Sequence, residues 1–151
     1  MIPFPVPSVF RALWASPSAR RATGRAGELL ATYYLERCDI PCSVVDRFGV
    51  DIWAQVPDGH FFTLEVKSSS SNAGSYCPEI PSYTFKVANK RADQFMLICL
   101  DTALFRIMDL ATLNRRCPRG SMRLKGSYFT EELMWEDIRD LKARYSFSGG
   151  L

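Results

Sequence analysis

Glu65, Val66 and Lys67 close an apolar run, Phe61-Phe62-Thr63-Leu64, that reads as a β-strand. Side chains alternate faces along a strand, so Glu65 and Lys67 point one way while Val66 joins Phe62 and Leu64 on the buried side. An acid and a lysine held side by side on a rigid element, with Asp51 and Glu28 upstream, form the set needed for metal-assisted cutting of a phosphodiester. Hard divalent cations take carboxylate oxygens, and a nearby ammonium stabilises charge on the phosphate.

The elements that must position these groups are legible around them. Val50-Asp51-Ile52-Trp53-Ala54-Gln55 reads as a second strand, with Val50, Ile52 and Ala54 on one face and Asp51, Trp53 and Gln55 on the other. Between the two strands lies Val56-Pro57-Asp58-Gly59-His60, in which Pro presets φ, Asp caps the turn and Gly accepts φ > 0. Residues 50–67 therefore predict a β-hairpin with strands about 5 Å apart, so that Asp51, Glu65 and Lys67 meet near one end of the sheet. A helix through about Cys38, capped by Thr23 or Ser18, packs Leu30, Tyr33 and Tyr34 inward and carries Glu28 near its first turn. Gly24 and Gly27 flank that turn and allow close backbone approach.

Glu28 on the first helix, Gly49-Val50-Asp51 at the second strand and Glu65-Val66-Lys67 at the third resemble the PD-(D/E)XK nuclease superfamily. The order and spacing look most like archaeal-type Holliday junction resolvases and small endonucleases, over about residues 24–110. Val50 stands where many members have Pro, and no glutamine or tyrosine motif follows on a long second helix. The resemblance implies a restriction-endonuclease-like α/β fold, a central mixed β-sheet flanked by helices. It implies Mg²⁺, with Mn²⁺ as a substitute, held by Asp51, Glu65, the Val66 carbonyl and Glu28, with Lys67 orienting the water or stabilising the transition state. The implied activity is endonucleolytic cutting of DNA, including structured or junction DNA, with RNA as another candidate substrate. A nuclease-like module that binds nucleic acid or protein without turnover is the alternative, and a small interaction protein with solvated acids is a third class.

Composition fits one globular domain. The chain has 151 residues, 47% hydrophobic and 23% charged, enough for a good core. Its longest apolar runs fall short of a membrane span. The net charge of +3 matters less than its distribution. Residues 1–27 and 115–125 carry arginines and a lysine without an acid, whereas Glu131, Glu132, Glu136, Asp137 and Asp140 cluster later. Basic patches can track a phosphate backbone, and Arg25, Ser68, Ser69, Lys90 and Arg91 are the candidate contacts near the acids.

The odd set of five cysteines has no Cys-x-x-Cys, and the only histidine is His60, in the turn, where it could approach the metal end of the hairpin. A zinc site is disfavoured and reduced thiols suit the cytoplasm. Residues 1–20 read as a Pro-interrupted arm, 68–83 as a Ser-rich loop and 146–151 as a mobile tail. A homodimer would suit symmetric cutting of two strands. The remaining elements are strands at Cys42–Asp46, Thr84–Val87, Phe95–Leu100 and Leu104–Met108, a turn or short helix at 89–93, and helices at Asp109–Asn114 and Thr130–Tyr145.

Overall fold

The computed structural model describes residues 20–47, 49–70, 81–88 and 90–147, with the side chains of 20–23 left aside. The expected arm except Arg20, with the candidate cap Ser18, and residues 71–80 of the Ser-rich loop lie outside these residues. Helix α1 (Arg20–Arg37) leads to β1 (Cys42–Arg47), β2 (Val50–Gln55) and β3 (Phe61–Ser69). Then come β4 (Ser82–Lys86), β5 (Gln94–Cys99), β6 (Leu104–Asp109), α2 (Leu110–Arg116), β7 (Ser121–Lys125), a 3-10 turn (Gly126–Tyr128) and α3 (Glu131–Tyr145).

Five strands form a mixed sheet in the order β1-β2-β3-β5-β6, with β3 and β5 parallel and the other neighbours antiparallel. The parallel pair needs a crossover, which contains β4. That strand pairs with β7 in a separate two-stranded ribbon. β5 is an uninterrupted apolar run, Phe95 to Cys99, because both its faces are covered. On one face Met96 and Ile98 pack with Ile52, Leu64 and Val66 under Leu30, Tyr34 and Leu35 of α1 and Met134, Ile138 and Leu141 of α3. On the other, Phe95, Leu97 and Met108 pack under Tyr83 and Phe85 of β4, Met122 and Leu124 of β7, and Leu113 of α2.

The helices form where apolar residues recur at three- and four-residue intervals. Ala26, Leu30, Ala31, Tyr34 and Leu35 make the buried stripe of α1. Its C-terminus closes with Asp39 at φ +59°, the Asp39 N–H donating to Glu36 O and the Ile40 N–H to Leu35 O. α1 begins at Arg20, so Thr23 lies inside it instead of capping it, and Glu28 sits mid-helix instead of in the first turn. Thr130 does cap α3, its hydroxyl accepting from Leu133 N.

Several local expectations change. Val50 does not follow Ile52 and Ala54 but packs against the second core. In the hairpin turn φ is positive at Asp58 (+51°), and Gly59 is needed for another reason: a Cβ there would run into the carbonyl of Tyr145. Ser68 and Ser69 belong to β3, not to a loop, and Ser146 at the expected tail bridges Gly59. The basic run contains a strand, β7, where none is expected.

Asp109 caps α2, accepting from Thr112 N at 2.8 Å and pairing with Arg144 at 2.8 Å. The Thr112 N–H, the Thr112 hydroxyl and then Arg144 hold its carboxyl down at about 2. A folded-state value below the unfolded one stabilises above the unfolded value, about 3.9, and that stability is lost as pH falls towards 2. Asp109→Ala is expected to cost about 1 kcal/mol at pH 7. In urea melts that loss should shrink as pH falls from 4 to 2; a loss independent of pH would refute the electrostatic origin.

Candidate active site

Three elements bring acids to one edge of the sheet. α1 lies directly on β3: a Cβ on Gly27 would overlap Ser68 Oγ and stand 3.0 Å from Ser68 Cβ and 3.6 Å from Val66 Cγ1. This close seat delivers Glu28, the next residue. Asp51 is held by the sheet itself. The β2–β3 ladder pairs Gln55 with Phe61 through to Ile52 with Leu64, and at the next step the Asp51 carboxylate takes over as acceptor, Oδ2 receiving the Val66 N–H at 2.7 Å.

The third acid is Asp46, which sequence reasoning missed. The β1–β2 register shifts between Val44 and Arg47, and Asp46 within that irregularity has φ +44°. Asp tolerates this region better than most residues, and backbone held there is enriched at functional sites. The available signal was an acid just before a Gly-containing connection, with Gly49 itself at φ +77°. One oxygen from each of Glu28, Asp46 and Asp51 lies within 4.8 Å of the others.

Glu65 and Lys67 stand on the same side of β3 as expected, paired at 2.8 Å. Lys67 is in register with Leu97, which places the pair on the face covered by the β4–β7 ribbon. Glu65 is 4% exposed, because both faces of this strand are covered. Its Oε2 finds no hydrogen-bond partner among the described residues. The closest acid group is thus Glu28–Asp46–Asp51, with Glu65 beside it, engaged by Lys67 and coupled electrostatically to Asp51.

Burial is the main cause that raises the carboxyls of Glu28, Asp51 and Glu65 above their ordinary values. Mutual repulsion adds to it, Asp51 acting on Glu28 and Glu65, and Asp46 on Glu28 and Asp51. Arg25 relieves Glu28 through a contact at 3.2 Å, and Lys67 relieves Glu65 and Asp51. Closely set, partly desolvated acids of this kind are what a cation stabilises. The oxygens of Glu28, Asp46 and Asp51 fit a hard divalent ion.

A raised carboxyl contributes stability that is full below its unfolded value, about 4.3 for Glu, and is lost as pH rises through its folded value. At pH 7 Glu28 therefore opposes folding of the metal-free protein. Glu28→Gln is expected to raise its thermal midpoint by about 2–4 °C, the shift for about 1 kcal/mol in a chain of this size. Mg²⁺ or Mn²⁺ should raise the wild-type midpoint and do so less in the variant. A lower midpoint for metal-free Glu28→Gln would show that Glu28 serves the fold.

The other candidates fall into different settings. Arg25 is exposed and turned to Glu28. Ser68 lies beneath Gly27, and Ser69 is buried with its hydroxyl donating to Ser70 O. Lys90 closes the end of α2, its Nζ donating to Cys117 O at 2.6 Å and Asn114 Oδ1 at 3.0 Å. Arg91 is exposed. His60 packs on Phe147 at the turn, the end of the hairpin away from Asp51, so it does not approach the acids.

No family model matches the sequence, and no curated protein is matched by it. Among solved structures, the bacterial homing endonuclease I-Ssp6803I superposes with a TM-score of 0.56 at 14% identity, over 72% of this chain and 78% of that one. The likeness is one of fold. It agrees with the expected α/β domain, a central mixed sheet flanked by helices. Among the described residues no helix is long and apolar enough to cross a membrane.

Proposed function

We propose that the protein is a metal-dependent endonuclease of PD-(D/E)XK type that hydrolyses phosphodiesters in DNA. The observation that carries this is the meeting of Glu28, Asp46 and Asp51 beside the Glu65–Lys67 pair. The likeness to an endonuclease supports it. Glu28, Asp46 and Asp51 would hold the ion, with Glu65 Oε2 and the Val66 carbonyl completing the oxygen set. Mg²⁺ or Mn²⁺ bound there would polarise the phosphate and lower the pKa of a bound water. Asp51 is oriented by the Val66 N–H and keeps its second oxygen for the ion. Lys67, a compact cation paired with Glu65, would stabilise charge on the phosphate or orient the attacking water. The setting proposed for this activity is the cytoplasm.

The test is a labelled panel of single strand, duplex, flap, four-way junction and RNA, incubated with Mg²⁺, Mn²⁺ or EDTA. Metal-dependent cutting that disappears in Lys67→Ala protein is expected. No cutting of any substrate, with binding that persists in EDTA, would replace the enzyme with a non-catalytic binding module.

A further inference from the structure

The β4–β7 ribbon is two-faced. Its inward pairs, Tyr83 with Leu124 and Phe85 with Met122, belong to the second core. Its outward pairs are Ser82 with Lys125, Thr84 with Arg123 and Lys86 with Ser121. All six are hydroxyl or cationic residues and none is an acid. An ordinary solvated face intersperses both signs, as the exposed side of α3 does with Glu132, Glu136, Arg139, Asp140 and Arg144. Beside the ribbon, an open depression of about 460 Å³ is lined by Arg116, Arg123, Lys125, Ser127 and Tyr128, with the Arg116 guanidinium 4.7 Å from the Tyr128 ring centre.

We infer that this ribbon is the surface on which a DNA duplex lies. Cations and hydroxyls are the side chains that contact phosphate oxygens, and a two-stranded ribbon is narrow enough to follow a groove about 12 Å wide. β4 packs on β3, and the ribbon covers the sheet face that carries Glu65 and Lys67. A duplex held on Lys86, Arg123 and Lys125 lies on the outer side of this ribbon, one layer out from Glu65 and Lys67. This deepens the nuclease reading and rests on it for what the bound duplex undergoes, but the binding itself needs no metal.

The experiment is a salt titration of duplex affinity in EDTA, where cutting is off, with wild-type and Lys86→Ala/Arg123→Ala/Lys125→Ala proteins of matched thermal midpoint. Each lost phosphate contact lowers the slope of log affinity against log salt by about 0.9, so the triple variant should lose about two to three from the slope and bind at least about tenfold more weakly. Lys86→Arg/Arg123→Lys/Lys125→Arg should retain wild-type binding, since charge is kept. Unchanged affinity and slope in the folded triple variant would overturn the ribbon. So would a wild-type protein that binds only RNA or an acidic polypeptide. Ribbon-dependent binding without metal-dependent cutting would sink the nuclease and leave the ribbon standing.

Discussion

Asp51→Asn protein is expected to fold normally and to lose metal-dependent cutting by about 10²–10⁴-fold, the usual scale for removing a charged group that acts on the transition state. The substitution separates two jobs of one side chain. Asp51 Oδ2 accepts the Val66 N–H where the β2–β3 ladder ends, and an asparagine oxygen can accept that bond too. What it cannot supply is negative charge for a cation. Asp51→Ala is a poorer probe, because an unpaired Val66 N–H would cost about 1–3 kcal/mol by itself. Burial already holds the Asp51 carboxyl above its ordinary value, so the metal-free Asn variant should melt at or above the wild-type temperature. Cutting rates and melting curves on the same preparation check both halves. Near-wild-type cutting by Asp51→Asn would remove Asp51 from the active site. Lys67→Ala should lose a comparable factor, and the stranded Glu65 should take up a proton in place of unfolding the sheet, since a buried unpaired acid neutralises.

Gly27→Val should damage both stability and activity. A Cβ at this position overlaps Ser68 Oγ and meets Ser68 Cβ at 3.0 Å, so α1 must lift from β3. The hydroxyl can rotate away but the Ser68 Cβ cannot, and overpacking of this kind costs about 1–3 kcal/mol. In a chain of this length that lowers the melting temperature by roughly 2–4 °C per kcal/mol. The functional loss should exceed what stability predicts. Glu28 rides on the displaced turn, and a shift of about 1 Å in a positioning group can cost 10²-fold in rate. The double variant Gly27→Ala/Ser68→Gly, which removes the opposing side chain, should recover most of both. A Gly27→Val protein that melts and cuts like wild type would show that the close seat of α1 does not position Glu28.

How much of this was legible in the chain depended on the range of the interactions. The hairpin was readable because its register follows from a five-residue connection and from alternation in Phe62, Leu64 and Val66, all buried as expected. α3 was readable for the same local reason, with Thr130 as cap and Met134, Ile138 and Leu141 as its stripe. β7 was not, although Ser121, Met122, Arg123, Leu124 and Lys125 alternate in exposure. Its partner, β4, lies about forty residues away, so nothing local announces the pairing.

The sequence by itself determined which groups have the right chemistry: Glu28, Asp51, Glu65 and Lys67, on elements whose period fixes which side each faces. Tertiary structure decided which of them meet. Asp46 joins Glu28 and Asp51 only because a register shift on the edge strand turns the backbone to φ +44°. Glu65 is buried only because the β4–β7 ribbon covers its face of the sheet. Lys90 faces the end of α2 only because that helix packs nearby. Each outcome depends on long-range packing and on backbone irregularity, and neither leaves a period in the chain to read.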